Sequence, residues 1–248
     1  MIRAALVLLF FTVYLPPASI FGLIVARLTG RAWILYRLGR AGVRAALAIS
    51  GTRVVTEGLE RLADPRHTVV MSNHVSHLDA PVLFQVFGVD FKAVAKREVF
   101  ATPFFGAVLR MAGFIEVDRG GDRAQARRAM DRTAQSLREG ACFLVFPEGT
   151  RSRTGELGEF KKGAFVAAME SGSRILPVAL TGTRELMPKG RFAIRPGTVR
   201  VRVLDPVDTG SYSYADDRDG LIAEVKGRVA EALAVGAAPE ALRGSKAR

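Results

Sequence analysis

The sequence predicts an α/β protein, a mixed and largely parallel sheet flanked by helices, with a membrane-associated helical segment at its amino terminus. After Gly51, short apolar runs alternate with longer stretches of helical periodicity, and turn residues separate them. Before Gly51 the pattern differs, because no side chain from Ala4 to Ala26 is charged. With 248 residues, the chain can bury a sizeable core without disulfide or metal staples. Three units follow: membrane-associated helices over 1–50, one globular domain over 51–235, and a flexible tail over 236–248 rich in Ala, Gly, Arg and Lys.

At ~1.5 Å per residue the uncharged segment is long enough to cross the ~30 Å hydrocarbon layer of a bilayer. Pro16-Pro17 lies in its middle, so two short helices forming a hairpin within one leaflet are the alternative. Only Arg3 precedes the segment, whereas Arg27, Arg31, Arg37, Arg40 and Arg44 follow it. That distribution argues for retention rather than cleavage as a signal peptide, and places the body on the cytoplasmic side. Trp33 and Tyr36 are candidate interface anchors. From Arg31 to Ile49 the arginines recur at helical spacing among Ile34, Leu35, Leu38, Val43 and Leu47, as in an interfacial helix or one packed on a core.

In the globular domain, strands are expected at Arg53–Thr56, Thr68–Met71, Phe91–Ala95, Phe114–Val117, Cys142–Phe146, Ile175–Leu180 and Val199–Val203. Helices fill the gaps. The clearest runs from Asp122 to Glu139, with Ala126, Ala129, Met130, Thr133 and Leu137 on one face, and another from about Asp216 to Leu233.

Composition narrows the function. Apolar residues make up 49% of the chain, yet its net charge is +12, a pairing that suits an anionic lipid surface or a phosphorylated substrate. No zinc-finger spacing or RNA-recognition aromatic signature is present, so nucleic acid is not an expected partner. Cys142 is the one cysteine, inside an apolar run, which excludes a disulfide framework and a thiol-rich metal site and fits a reducing compartment.

Two polar clusters follow apolar strands, where α/β folds place active sites. The first is Ser72-Asn73-His74-Val75-Ser76-His77-Leu78-Asp79-Ala80-Pro81. Asp79 can receive one ring N–H of His74 and leave the other nitrogen as a general base, or it can cap the following helix while His74 is merely a satisfied turn residue. The second runs from Phe146 to Arg151. Gly149 permits close backbone approach, Thr150 offers a hydroxyl, and Arg151 can grip phosphate oxygens with two N–H groups; a plain basic turn is the other reading. Gly163 is followed by Ala164-Phe165, so no P-loop is formed. Between the clusters lie Lys96 and the segment from Gly113 to Arg119, whose arginine emerges beyond a strand like Arg151; the two can converge on one phosphate or pair with Asp118 and Glu148 as surface ion pairs. A last cluster, Ile175 to Leu180, contains Pro177 and reads as an edge strand. Metal-dependent hydrolysis through His74, His77 and Asp79 is disfavoured by too few ligands, and serine esterase chemistry by the absence of Gly-x-Ser-x-Gly. A non-enzymatic lipid-binding module explains the charge but not the His/Asp turn.

Taken in order, these four clusters resemble the four sequence blocks of the glycerolipid acyltransferase family, in particular its bacterial 1-acyl-glycerol-3-phosphate acyltransferases. Asn73, His74 and Asp79 match the first block, Gly113 and Arg119 the second, Phe146 to Arg151 the third without a gap, and Pro177 the fourth. The likeness spans about Arg53 to Leu204; Val75 and Val99 depart from it mildly, where a polar residue and a leucine are common.

The resemblance implies a glycerol-3-phosphate acyltransferase-like fold and catalysis by His74 as base with Asp79 holding its tautomer, without an acyl-enzyme. It implies that Arg119 and Arg151 take the acceptor's phosphate, that Glu148, Gly149 and Thr150 shape the loop, and that Lys96, Gly113 and Pro177 belong to the substrate site. The expected partners are lysophosphatidic acid, acyl-CoA or acyl carrier protein as donor, and an anionic membrane surface. Neither cofactor nor metal is expected, and the expected location is the cytoplasmic face of the cell inner membrane. Another lyso-lipid acceptor, such as a lyso-aminolipid, is the alternative.

Overall fold

The computed structural model describes residues 1–117, 123–188, 190, 193–212 and 217–237. Asp118 and Arg119, and Asp122 at the start of the predicted 122–139 helix, lie outside them, as do Asp216 and most of the predicted tail. The chain opens with α1 (Ile2–Thr29) and α2 (Trp33–Ser50). There follow β1 (Thr52–Glu57), β2 (Thr68–Ser72), α3 (Asp79–Phe87), β3 (Lys92–Lys96), α4 (Arg97–Phe100) and α5 (Phe105–Met111). Next come β4 (Ile115–Val117), α6 (Arg123–Arg138), β5 (Cys142–Val145), α7 (Gly163–Ser171) and β6 (Arg174–Thr181). The order ends with α8 (Thr183–Leu186), β7 (Gly197–Val203) and α9 (Arg218–Ala237), which continues past the expected stop at Leu233.

The seven strands form one sheet in the order β1-β7-β6-β2-β5-β3-β4. Neighbours are parallel throughout except for the antiparallel pair β6–β7. Both faces are covered, which is why β2 is buried at every position and reads as a continuous apolar run rather than an alternating one. Val70 joins the cluster containing Leu47 of α2 and Val82, Leu83 and Phe87 of α3. Val69 and Met71 face the cluster built with Ala129 and Leu137 of α6, Phe165 of α7 and Leu221 and Val225 of α9. Each such side chain taken from water contributes about 1.5–3 kcal/mol.

Topology fixes where a ligand can enter. From β2 the chain passes through α3 to β3, beyond β5; from β5 it passes through α7 back to β6, beyond β2. The two connections leave in opposite directions on opposite faces, opening a crevice between the carboxyl ends of β2 and β5. A second opening lies alongside. β3 pairs with β5 only at Lys92 and Ala93, and then diverges to pair with β4 through Lys96.

Three expectations are corrected. The chain does not turn at Pro16-Pro17: α1 runs through both prolines as one helix, and the hairpin is made at Gly30–Ala32, where α1 meets α2. The helices pack antiparallel along their length, and Arg3 Nη1 donates to the carbonyl of Ile49 at 3.1 Å. Tyr36 is not an interface anchor, because its ring is 5% exposed and its hydroxyl donates to the carbonyl of Ala112 at 3.0 Å. Trp33, by contrast, is exposed, with the Arg37 guanidinium over its ring. Nor is Pro177 on an edge strand, since β6 lies inside the sheet. Ile175 exchanges both backbone bonds with Val207, and Pro177, two positions on, presents its carbonyl to Leu204 on that same side. From Val203 to Val207 that neighbour carries one residue more than Ile175 to Val178 opposite, a β-bulge, so the missing proline N–H falls at a gap in the ladder.

Candidate active site

The carboxyl end of β2 is locked into register by a side chain that imitates a peptide. Asn73 Nδ2 donates to the Leu180 carbonyl at 2.9 Å, and Asn73 Oδ1 accepts from the Leu180 N–H at 2.8 Å. The ladder to β6 is thereby extended one residue beyond the strand, and the chain is delivered into the crevice at His74.

His74 is held on every side. Its Nδ1 lies 2.7 Å from Asp79 Oδ2, and the same oxygen accepts the N–H groups of Val75 at 2.7 Å and Ser76 at 2.8 Å. Asp79 is 0% exposed, and three N–H donors on one oxygen offset the cost of burying its charge. The carboxylate sits in the first turn of α3, where the helix dipole also favours a negative charge. It folds back onto the preceding turn and so does not cap its own helix. The imidazole stacks on Phe146 with centroids 4.0 Å apart and planes inclined by 17°. Its side chain remains 19% exposed, and with Nδ1 engaged by the carboxylate, Nε2 is the nitrogen left to exchange a proton.

The loop after β5 is bonded to the same residue. Glu148, 5% exposed, accepts the N–H of His74 at 2.7 Å on one oxygen and the N–H of Gly158 at 2.9 Å on the other. The carbonyl of His74 accepts the N–H of Ser152 at 2.8 Å. A Cβ at position 158 would lie 2.9 Å from Glu148 Oε2, so a larger residue there would push the carboxylate off its contact with this loop. Glu148 therefore ties two loops together. Glu148→Gln replaces one acceptor by an amide that confronts an N–H; we expect a loss of about 1–3 kcal/mol in thermal unfolding together with a fall in turnover as His74 loosens. Unchanged melting and activity would contradict this role.

The remaining candidates are distributed along the same edge. Gly149 has φ +70, a left-handed conformation that glycine adopts without strain, and the Lys161 side chain lies across it, 3.0 Å from where a Cβ would stand. Thr150 is exposed and Arg151 half-buried. Arg151 and His74 are near enough to His77, on the exposed side of the turn, that they add to desolvation in lowering its pKa from the ordinary value. Lys96 is exposed at the end of β3, opposite Val117 in β4, the residue just before the segment that carries Arg119. Gly113 is a helix stop: it has φ +77, and its N–H and that of Phe114 return to the carbonyls of Arg110 and Leu109. Pro177 is buried within β6, opposite Met71 of β2. Sequence reasoning assigns no role in holding the site to Asn73, Phe146 or Lys161; Asn73 and Phe146 stand at the edges of the motifs, but their partners are not visible there.

Cys142 is 5% exposed, and burial pushes its thiol up to about 12, so it stays protonated inside the core. Among the described residues, no group of three or more His, Cys, Asp or Glu could hold a metal ion.

Residues 53–181 match the profile of the Acyltransferase family. The chain is 36% identical over 183 residues to a chloroplast 1-acyl-sn-glycerol-3-phosphate acyltransferase of Arabidopsis thaliana, covering 73% of this chain and 49% of that protein. It is 32% identical over 153 residues to a 1-acyl-sn-glycerol-3-phosphate acyltransferase of Pseudomonas aeruginosa, covering 62% of this chain and 58% of that one. It thus spans about half the length of the chloroplast relatives it matches. The crystal structure of the 1-acyl-sn-glycerophosphate acyltransferase PlsC of Thermotoga maritima superposes with a TM-score of 0.81 at 29% identity, covering 96% of this chain and 98% of that one.

Proposed function

Because the chain belongs to the acyltransferase family, we propose that it transfers a fatty acyl group from acyl-CoA or acyl carrier protein to the sn-2 hydroxyl of 1-acyl-glycerol-3-phosphate, yielding phosphatidic acid. The observation that carries this reading is the His74–Asp79 couple set in the crevice with Nε2 uncommitted. In the reaction, Nε2 of His74 takes the proton of the acceptor hydroxyl as its oxygen attacks the thioester carbonyl. The tetrahedral intermediate then collapses, the C–S bond breaks, and the thiolate leaves with the proton from the imidazolium. Asp79 keeps the imidazole oriented and favours its charged form between the two steps. Serine and cysteine nucleophiles have no part, because the acceptor supplies the attacking oxygen itself. No cofactor beyond the donor enters the scheme.

We assign the acceptor's phosphate to Arg151, with Arg119 and Lys96 as further basic candidates for the same site. Since that contact exists before and during the reaction, Arg151→Ala should raise the apparent acceptor constant roughly tenfold to a hundredfold with a smaller change in turnover. An unaltered acceptor constant removes Arg151 from the phosphate site.

We place the protein at the cytoplasmic face of the cell inner membrane. Helix α1 has 28 residues, and an 18-residue stretch of it has mean hydropathy 2.0 with little burial, so its apolar surface needs lipid. Its amino-terminal end lies against the protein, with Arg3 bonded to Ile49 and its guanidinium 2.7 Å from where a Cβ at Gly51 would stand, and its carboxyl end turns at Gly30–Ala32 straight into α2. A helix fastened at both ends is better suited to lying in one leaflet than to crossing two. Incubating the protein with lysophosphatidate and each donor in turn, and following phosphatidate and free thiol, tests the activity. Absence of both products with both donors rejects it, and a panel of other lyso-lipids tests the acceptor.

A further inference from the structure

Between Glu98 and Arg110 the chain carries no ionisable side chain, in a protein of which 24% of residues are charged. These residues form the corner between α4 and α5. Its backbone crosses itself closely: a Cβ at Gly106 would stand 1.9 Å from the Phe100 carbonyl oxygen. Small apolar surface corners are ordinary, but this one turns its bulk outward. Val99 is 36%, Phe104 47% and Met111 41% exposed.

Phe104 is held there under strain. Its φ is +60, and among the described residues His67 alone shares a positive φ without being glycine. Such a conformation costs about 1–3 kcal/mol in a residue with a Cβ, yet Phe104 remains 47% exposed in the fold. The corner is also continuous with a surface already read as lipid-facing, since α5 packs on α1. Arg97 flanks it, 73% exposed, while Arg110 is folded back over the Phe100 ring. Its position matters, because α4 begins directly after β3, at the sheet edge where His74 lies.

We propose that the α4–α5 corner is a second membrane-inserting element, in which Phe104, supported by Val99, enters the acyl layer of an anionic bilayer beside α1. This rests on the reading of α1 as membrane-bound. Two points of insertion, one from the amino-terminal hairpin and one from the catalytic domain, hold the active-site edge of the sheet at the lipid surface where a lysophospholipid resides.

Single-tryptophan proteins test it: Trp33→Phe combined with Phe104→Trp, and Trp33→Phe combined with Arg138→Trp as a control on the opposite edge. Both are bound to phosphatidylglycerol–phosphatidylethanolamine vesicles carrying brominated acyl chains and recovered by flotation. The expected result is a blue-shifted emission from the Phe104→Trp protein, quenched by at least about half, with the emission of the Arg138→Trp protein unquenched. Equal quenching at the two sites in floated protein overturns the proposal and leaves the α1 reading standing; failure to float overturns both. Phe104→Gly separates insertion from folding. Glycine relieves the positive φ, so the variant should melt higher in detergent, while its acylation rate in bilayers falls at least about fivefold relative to its rate in mixed micelles. Rates reduced alike in bilayers and micelles would count against insertion.

Discussion

Replacing His74 by alanine is expected to lower turnover by about 10²- to 10⁴-fold while leaving the fold and the acceptor constant nearly unchanged, the range a positioned general base supplies. The imidazole is 19% exposed; losing its stack on Phe146, worth about 0.5–1.5 kcal/mol, and its N–H to the buried Asp79 carboxylate, about 1–3 kcal/mol, should lower the thermal midpoint by several degrees while the variant stays folded. Its backbone bonds to Glu148 and Ser152 survive the change and keep the loops in place. Steady-state rates on lysophosphatidate, measured beside a melting curve, decide the matter. A variant that folds and retains most of its turnover would end the general-base mechanism.

Changes at Asp79 should separate structure from catalysis. In Asp79→Ala, one buried ring N–H and two backbone N–H groups lose their common acceptor. At about 1–3 kcal/mol for each donor stranded away from water, the loss amounts to several kcal/mol in a fold whose whole stability is about 5–15 kcal/mol. Asp79→Asn keeps an oxygen at that position and places its amide where Oδ1 now stands, an oxygen without a hydrogen-bond partner. That variant should fold, yet lose about 10²-fold or more in turnover, because a neutral amide no longer stabilises the imidazolium formed between proton uptake and release. An active Asp79→Asn enzyme would show that only the orientation of the ring matters.

Much of the fold was legible in the chain because strands and helices are short-range patterns. All seven strands stand where the apolar runs placed them, with ends shifted by a residue or two. The His74–Asp79 contact was legible for a similar reason: five positions is the reach of one turn. Misreadings arose where a residue's type suggests a place that packing then overrules. Tyr36 has the amphipathic ring of an interface anchor, but the α5–β4 corner offers its hydroxyl a buried carbonyl. Pro177 has the signature of an edge, but a bulge in the neighbouring chain makes room for it at the centre of the sheet.

What the sequence determined by itself was the list of elements, the nearness of His74 to Asp79 and the apolar character of the amino terminus, all properties of residues close together in the chain. What only the tertiary structure decided was how His74 is held. Its Glu148 contact bridges 74 positions and the Asn73–Leu180 pair bridges 107. Such contacts depend on β2 lying between β5 and β6, an order set by the burial of whole faces rather than by any local run. The same burial decided where α1 turns, and left outside the folded core the apolar surface for which a lipid layer is the complementary solvent.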